Sequence, residues 1–264
     1  MKIGFIGCGN MARAMIGGIR KQNLVPSEDL MASAKTEATR KKIRDELGIR
    51  AARNNAEAAA FADVLILAVK PVYMEEVIEE IAEHVRPETI VVTLAPGKTL
   101  QWLDSTFGRP TKLVRTMPNT PALVGEGMTA LCPNSFVTEE ELEAVVRIFS
   151  SFGKTEVVPE HMIDIVVGAS GSSPAYVFLF IEAMADAAVA DGMPRAMAYE
   201  FAAQSVLGSA KMVLETGKHP GELKDMVCSP GGTTMEAVRV LEEKGFRSAV
   251  IEASRACVRK AREM

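Results

Sequence analysis

The sequence predicts an α/β fold, with an N-terminal doubly wound domain on a parallel sheet and an all-helical C-terminal domain. Three observations predict it. Short runs rich in Val, Ile and Leu alternate with amphipathic segments through the first part of the chain. A glycine loop, Gly7-Cys8-Gly9-Asn10-Met11-Ala12, lies between the first such run and the first amphipathic segment. From about Glu160 onward no strand signal remains. The expected domains are therefore 1–159 and 160–264, the second carrying substrate binding and dimerisation.

In chain order, Lys2–Ile6 is a short apolar strand, and Asn10–Lys21 is a helix with Met11, Ala14, Met15, Gly18 and Ile19 on one face. Leu30–Ser33 is a second strand, followed by the charged helix Glu37–Leu47. Ile49–Ala51 is a third strand and Ala56–Ala60 a short helix. Asp63–Val69 is an unbroken apolar run of strand length. Val72–His84 is a helix opened by Pro71, Thr89–Thr93 a strand, Leu100–Phe107 a helix and Lys112–Thr116 a strand. Past the apolar segment Met128–Cys132 come the helix Glu139–Ser151 and the strand Thr155–Val158.

The helices expected beyond are Ile163–Ala169, Ala175–Asp191, Arg195–Glu215, Pro220–Met226, Met235–Lys244 and Arg247–Arg262. Breaks fall at Gly171-Ser172-Ser173-Pro174, Asp191-Gly192-Met193-Pro194 and Gly217-Lys218-His219-Pro220. The segment Tyr176-Val177-Phe178-Leu179-Phe180-Ile181 is apolar all round, more surface than so few helices can hide. A second copy of the chain is the expected cover.

Hydrophobic residues make up 48% of the 264 and aromatics only 5%, so Ala, Val, Ile, Leu and 15 Met do the packing. The net charge of -4, with both signs interspersed, points away from nucleic acid and membrane surfaces. Cys8, Cys132, Cys228 and Cys257 form no C-x-x-C pair and read as free thiols of a reducing cytosol, with no metal site. The chain enters a strand at once, without a targeting leader. Its most apolar run, Pro174–Ala190, is interrupted by Glu182 and Asp186 and short for a membrane span. The expectation is a cytoplasmic, soluble protein.

The loop fits G-x-G-x-x-G/A. Gly7 permits the tight turn, Gly9 lets backbone approach a pyrophosphate, and small Ala12 keeps helix and strand close. The end of the second strand discriminates between dinucleotides. An acid there would bond the ribose 2′-hydroxyl of NAD, but this strand ends Ser33-Ala34-Lys35. A hydroxyl and an ammonium suit the 2′-phosphate of NADP. NADPH is therefore preferred and NADH stays open, as does a Lys35 that merely lies in solvent. Ala68-Val69-Lys70-Pro71 ends another strand and faces the same crevice, where Lys70 binds cofactor or pairs with a surface acid. Asn55 serves either the cofactor or the cap of the helix that follows.

Near the C-terminus, Ser229-Pro230-Gly231-Gly232-Thr233-Thr234 precedes a helix. Gly231 and Gly232 at a helix start leave backbone N–H groups for a small anion such as a carboxylate. The alternative for Thr233 and Thr234 is ordinary N-capping, worth on the order of 1 kcal/mol.

With Gly-Cys-Gly-Asn-Met-Ala, Ala-Val-Lys-Pro, Arg115-Thr116-Met117-Pro118-Asn119-Thr120-Pro121, Gly171-Ser172-Ser173-Pro174-Ala175-Tyr176 and Ser-Pro-Gly-Gly-Thr-Thr in this order, the chain resembles the pyrroline-5-carboxylate reductases from Lys2 to Arg262. The resemblance implies reduction of 1-pyrroline-5-carboxylate to L-proline with NADPH or NADH. It also implies a Rossmann domain and a helical domain that interlocks with a partner subunit, often within a larger ring. It assigns cofactor contacts to Ile6, Gly7, Cys8, Gly9, Asn10, Met11, Ser33, Asn55, Ala68, Val69, Lys70, Pro71, Leu94, Ala95 and Pro96. Substrate contacts fall to Thr233 and Thr234. The chain departs from the pattern with Gly-Ser-Ser-Pro for Gly-Ser-Gly-Pro and with Pro96 for a small residue. Gly217 stands where some relatives have Glu, and that role is not transferred.

Only three histidines are present, His84, His161 and His219, each reading as a cap or surface residue. A carbonyl reductase would need a proton donor. A basic imine takes its proton from solvent, so orientation is what the protein must supply. Thr234 is then the candidate catalytic residue, its hydroxyl bonding the ring nitrogen. A β-hydroxyacid dehydrogenase would need a lysine near Gly168–Pro174, and there is none. A non-catalytic nucleotide sensor would not need Ser-Pro-Gly-Gly-Thr-Thr.

Overall fold

In the computed structural model, which describes residues 1–94 and 96–263, strands and helices alternate as the pattern requires. The strands are β1 (Ile3–Ile6), β2 (Leu30–Ser33), β3 (Arg50–Ala51), β4 (Val64–Leu67), β5 (Ile90–Thr93), β6 (Lys112–Met117), β7 (Gly127–Pro133) and β8 (Gly153–Val157). They form a sheet of order β3-β2-β1-β4-β5-β6-β7-β8, the doubly wound order that reverses at β1. The helices interleaved with them are α1 (Asn10–Lys21), α2 (Glu37–Asp45), α3 (Asn55–Phe61), α4 (Met74–Ile81), α5 (Leu100–Phe107) and α6 (Glu139–Ser150).

Both faces of the sheet are covered, which is why its central strands are apolar without alternation. On one face Ile3, Phe5, Ile66 and Val92 pack with Met15, Ile16 and Ile19 of α1 and Ile148 and Phe149 of α6. On the other, Leu65, Leu67 and Val91 pack with Ala58 of α3, Ile78 of α4 and Leu103 of α5. The sheet departs from the all-parallel expectation at one step, since β7 runs antiparallel to β6. The β6–β7 link carries only a short 3-10 turn, Thr120–Val124, and a parallel return needs a longer crossover.

Some bounds move for local reasons. The helix expected at Val72–His84 becomes α4 between 3-10 turns at Pro71–Tyr73 and Ala82–His84, the tighter winding common at helix ends. The helix expected at Ile163–Ala169 begins earlier, as α7 (Glu160–Val166), and continues as a π turn over Val167–Gly171. The expected break at Gly171–Pro174 narrows to a bend at Ser172, between the end of the π turn and the helix that starts at Ser173. The run Glu160–Ala190 is 31 residues, long and apolar enough to cross a membrane by length and composition only, and it extends beyond the apolar run Pro174–Ala190.

Packing groups Met1–Ser172 with Cys257–Met264, and Ser173–Ala256 apart from them, so that α7 stays with the sheet. The physical reason is Arg115 of β6. Its guanidinium is 3% exposed and bonds Glu160 Oε1 at 3.2 Å and Asp164 Oδ1 at 3.1 Å, which ties α7 to the sheet. Asn119 adds a second brace, donating from Nδ2 to the Ser170 carbonyl and accepting at Oδ1 from the Met128 N–H.

The other unit is helical. It holds α8 (Ser173–Ala190), α9 (Arg195–Thr216), α10 (Pro220–Val227), α11 (Thr233–Glu243) and most of α12 (Phe246–Arg262). Its own core is small, centred on Ala185, Ala198 and Ala202. Phe178, Leu179, Phe201 and Leu214 stay more than 60% exposed, a large apolar surface for a free monomer.

Candidate active site

The register of the parallel strands brings the expected cofactor residues into one row. Ile6 pairs with Ser33 on one side and with Leu67 on the other, and Leu67 pairs with Thr93. The next residues along, Gly7, Ala68 and Leu94, therefore stand together beyond the carboxyl ends of the strands. A cleft of about 460 Å³ opens there, lined by Ile6, Gly7, Ser33, Lys35, Asn55 and Val69 among others. Ala68 and Leu94 are half-buried, Lys70 is exposed, and Pro96 is half-buried in the following turn. Among the described residues Lys70 has no ion-pair partner, so the surface-pair alternative finds no support. Ala95 lies outside the described residues.

The loop itself fits a dinucleotide phosphate. Gly7 has φ of +89°, and a Cβ there would lie 2.7 Å from the Ala68 carbonyl oxygen. Gly9 is the N-cap of α1 with no side-chain cap bond, and a Cβ built on it meets nothing within 4 Å. The first-turn N–H groups beside Asn10 and Met11 thus face open space at the positive end of the helix. Cys8 is buried, and burial, opposed by the nearby Arg13 charge, raises its thiol pKa. It packs as a neutral thiol and is no nucleophile.

These two glycines separate packing from approach. Gly7→Ala is expected to lower both thermal stability and dinucleotide affinity, because the new methyl strikes backbone. Gly9→Ala is expected to weaken dinucleotide binding at least as much while leaving the melting temperature unchanged. Nucleotide fluorescence titration and thermal melts read the two quantities. A Gly9→Ala protein that binds normally would remove the loop from the cofactor site.

The cleft also resolves Asn55. Asn54 caps α3, accepting from the Glu57 N–H at 2.9 Å, so Asn55 is free of that duty. Its Oδ1 accepts from the Ser33 hydroxyl at 2.6 Å and its Nδ2 donates to Glu80 at 2.7 Å. Sequence reasoning missed Glu80, Arg40 and Arg53, which line the same cleft. Arg40 donates to Glu37 at 2.8 Å and to the Ala34 carbonyl at 3.2 Å. Hydrogen bonds from Arg44 and Arg40 hold the Glu37 carboxyl below the usual glutamate range, so this tether is ionised at neutral pH. A basic residue one turn into the helix after β2 was the available signal for Arg40. Glu80 had none, because tertiary packing alone brings α4 to the loop before α3.

In the helical unit, Gly232 N–H donates to the Ser229 carbonyl at 3.0 Å, with Pro230 and left-handed Gly231 (φ +70°) between. That turn is a type II pattern, and glycine is what its third position requires. Gly232 is the N-cap of α11 and has no side-chain cap bond. Thr233 and Thr234 are therefore the first two helical residues, so neither is the N-cap. Among the described residues neither hydroxyl makes a hydrogen bond. The arrangement leaves both hydroxyls and the first-turn N–H groups for an anion.

The remaining chemistry is thin. His219 Nδ1 caps α10 by accepting from the Gly221 N–H, and His161 is exposed on α7. No cluster of metal-ligating side chains occurs among the described residues. The π turn and the start of α8 carry no lysine.

Comparison with known proteins names one enzyme family for the whole chain. Residues 160–264 match the family described as pyrroline-5-carboxylate reductase dimerisation, and residues 2–97 the family described as NADP oxidoreductase coenzyme F420-dependent. The chain is 55% identical to the pyrroline-5-carboxylate reductase of Escherichia coli (strain K12), over 100% of this chain and 98% of that one. Among solved structures, a pyrroline-5-carboxylate reductase from Coxiella burnetii superposes with a TM-score of 0.92 at 34% identity, covering 99% and 97% of the two chains. The Plasmodium falciparum pyrroline carboxylate reductase, solved with NADP bound, superposes with a TM-score of 0.91 at 32% identity, covering 100% and 97%.

Proposed function

We propose how the residues of this chain, which belongs to the pyrroline-5-carboxylate reductase family, carry out its reaction. The protein reduces 1-pyrroline-5-carboxylate to L-proline with NAD(P)H, the final step of proline biosynthesis. NADP is its cofactor, and when bound in the reduced form, NADPH, it would supply the hydride and leave as NADP.

The chain's own part is to bind and to orient. The N–H groups of Gly9, Asn10 and Met11 hold the pyrophosphate, and Ala68 to Pro71 with Leu94 and Pro96 flank the rest of the dinucleotide. Lys35 accounts for the preference for NADPH, with NADH accepted more weakly. The start of α11 anchors the substrate carboxylate through the Thr233 and Thr234 N–H groups, and Gly231 and Gly232 keep side chains out of its way. The Thr234 hydroxyl bonds the ring nitrogen and fixes the ring face. Solvent protonates the basic imine, so hydride arrival neutralises an iminium and no histidine is required.

The observation that carries this reading is the helix start of α11, which has a glycine cap and two threonines with unspent hydroxyls. The exposed apolar residues of α8 and α9 support a homodimer, itself one unit of a larger ring in the assembled enzyme, and residues 160–264 act as its dimerisation and substrate part. Net charge and free cysteines support a cytoplasmic enzyme that binds neither nucleic acid nor membranes. The test is loss of NADPH absorbance on addition of pyrroline-5-carboxylate, with NADH run in parallel. Substrate-dependent oxidation of NADPH is expected, at higher kcat/KM than with NADH. No oxidation of either would sink the reading.

A further inference from the structure

Glu80 of α4 lines the cofactor cleft although its charge repels a phosphate. Its partner is Asn55 Nδ2, at 2.7 Å. A carboxylate has no proton to give, so the Asn55 amide must turn its nitrogen toward Glu80. The amide oxygen is then the atom facing Ser33, at 2.6 Å, and an amide oxygen only accepts. Ser33 must spend its one proton on Asn55. Toward the cleft this buried hydroxyl offers lone pairs only.

Lone pairs suit a donor such as a ribose 2′-hydroxyl, and they oppose a 2′-phosphate. The cations lining the same cleft have the reverse preference. Arg40 is held in place by Glu37 and the Ala34 carbonyl, and Lys35 is exposed at the end of β2. Ser33 and Lys35 were expected to serve the 2′-phosphate together, and the hydrogen-bond order separates them.

We propose that Glu80 is a positioning residue for cofactor choice: through Asn55 it fixes the Ser33 hydroxyl as an acceptor, which favours NADH, while Lys35 and Arg40 bind the 2′-phosphate of NADPH. The proposal rests on the reading that this cleft takes the adenosine end of the dinucleotide. Replacing Glu80 by Gln undoes the constraint. A glutamine can donate to Asn55 Oδ1, the amide can turn its nitrogen to Ser33, and the serine proton becomes free for a phosphate oxygen.

The test is a fluorescence titration of the full-length protein with NADPH and with NADH, no substrate present. Glu80→Gln is expected to raise the NADPH-over-NADH affinity ratio about tenfold, the worth of one hydrogen bond to a charged group. Glu76→Gln lines the same cleft and removes the same charge without touching Asn55, so its shift should be much smaller. Ser33→Ala should weaken NADH more than NADPH. Equal shifts for Glu80→Gln and Glu76→Gln would reduce the effect to charge and overturn the proposal. So would a Ser33→Ala protein that loses NADPH preferentially. A wild-type protein that bound neither dinucleotide would instead overturn the cofactor reading beneath it. A purely structural Glu80 would weaken both cofactors alike and leave the ratio unchanged.

Discussion

Thr234→Ala is expected to lower kcat about a hundredfold, the scale of losing one positioned hydrogen-bond donor in the transition state. The melting temperature should stay within about 2 °C, since surface changes without packing or capping roles cost little. The two outcomes separate because of where Thr234 stands. It is the second residue of α11, behind a glycine cap, and among the described residues its hydroxyl makes no hydrogen bond. Alanine is also the better helix former at that position. Steady-state NADPH oxidation and a thermal melt on the same preparation read both quantities. Full turnover in the variant would take Thr234 out of the mechanism and leave the carboxylate anchor to the backbone N–H groups.

Arg115→Ala is expected to do the opposite, costing stability first. Removing one partner of a buried ion pair costs roughly 3–5 kcal/mol when its partners stay buried. Here Glu160 and Asp164 keep 34% and 25% of their surface and regain water, so about 3 kcal/mol is the fitting figure. Chemical denaturation should report it as a lower midpoint. Glu160 also accepts from the Leu100 N–H at the start of α5, so the loss spreads to a second helix. Dinucleotide affinity should fall far less than stability, because none of these groups lines the cofactor cleft. A midpoint unchanged within error would mean that α7 is held by its apolar contacts, Ile163 among them, and not by the ion pairs.

Much of the fold was legible because local rules and tertiary structure agree. The glycine loop sits where strand gives way to helix, and α1, β2 and α5 have the bounds expected from their periodicity. The place of Ser33 and the Ala68–Pro71 segment at the mouth of the cleft was legible because strand ends in a doubly wound sheet face a crevice. The antiparallel β7 was not. Its direction depends on how the β6–β7 link folds, and that link has no periodic signal. The π turn at Val167–Gly171 was hidden for a similar reason. Gly and Ser read as a break, yet Asn119, far away in sequence, takes up the Ser170 carbonyl. The motif around Arg115, which counted only toward family resemblance, proves to brace α7.

By itself the sequence determined the two-part plan, the glycine turn that opens α1 and the glycine-capped start of α11, because each rests on short-range geometry that glycine, proline and hydrophobic period dictate. Tertiary structure alone decided which atoms donate and which accept. Asn55 was equally a cap or a contact until Asn54 took the cap and Glu80 arrived from α4. The direction of a hydrogen bond depends on the chain of partners behind it, and those partners are neighbours only after folding.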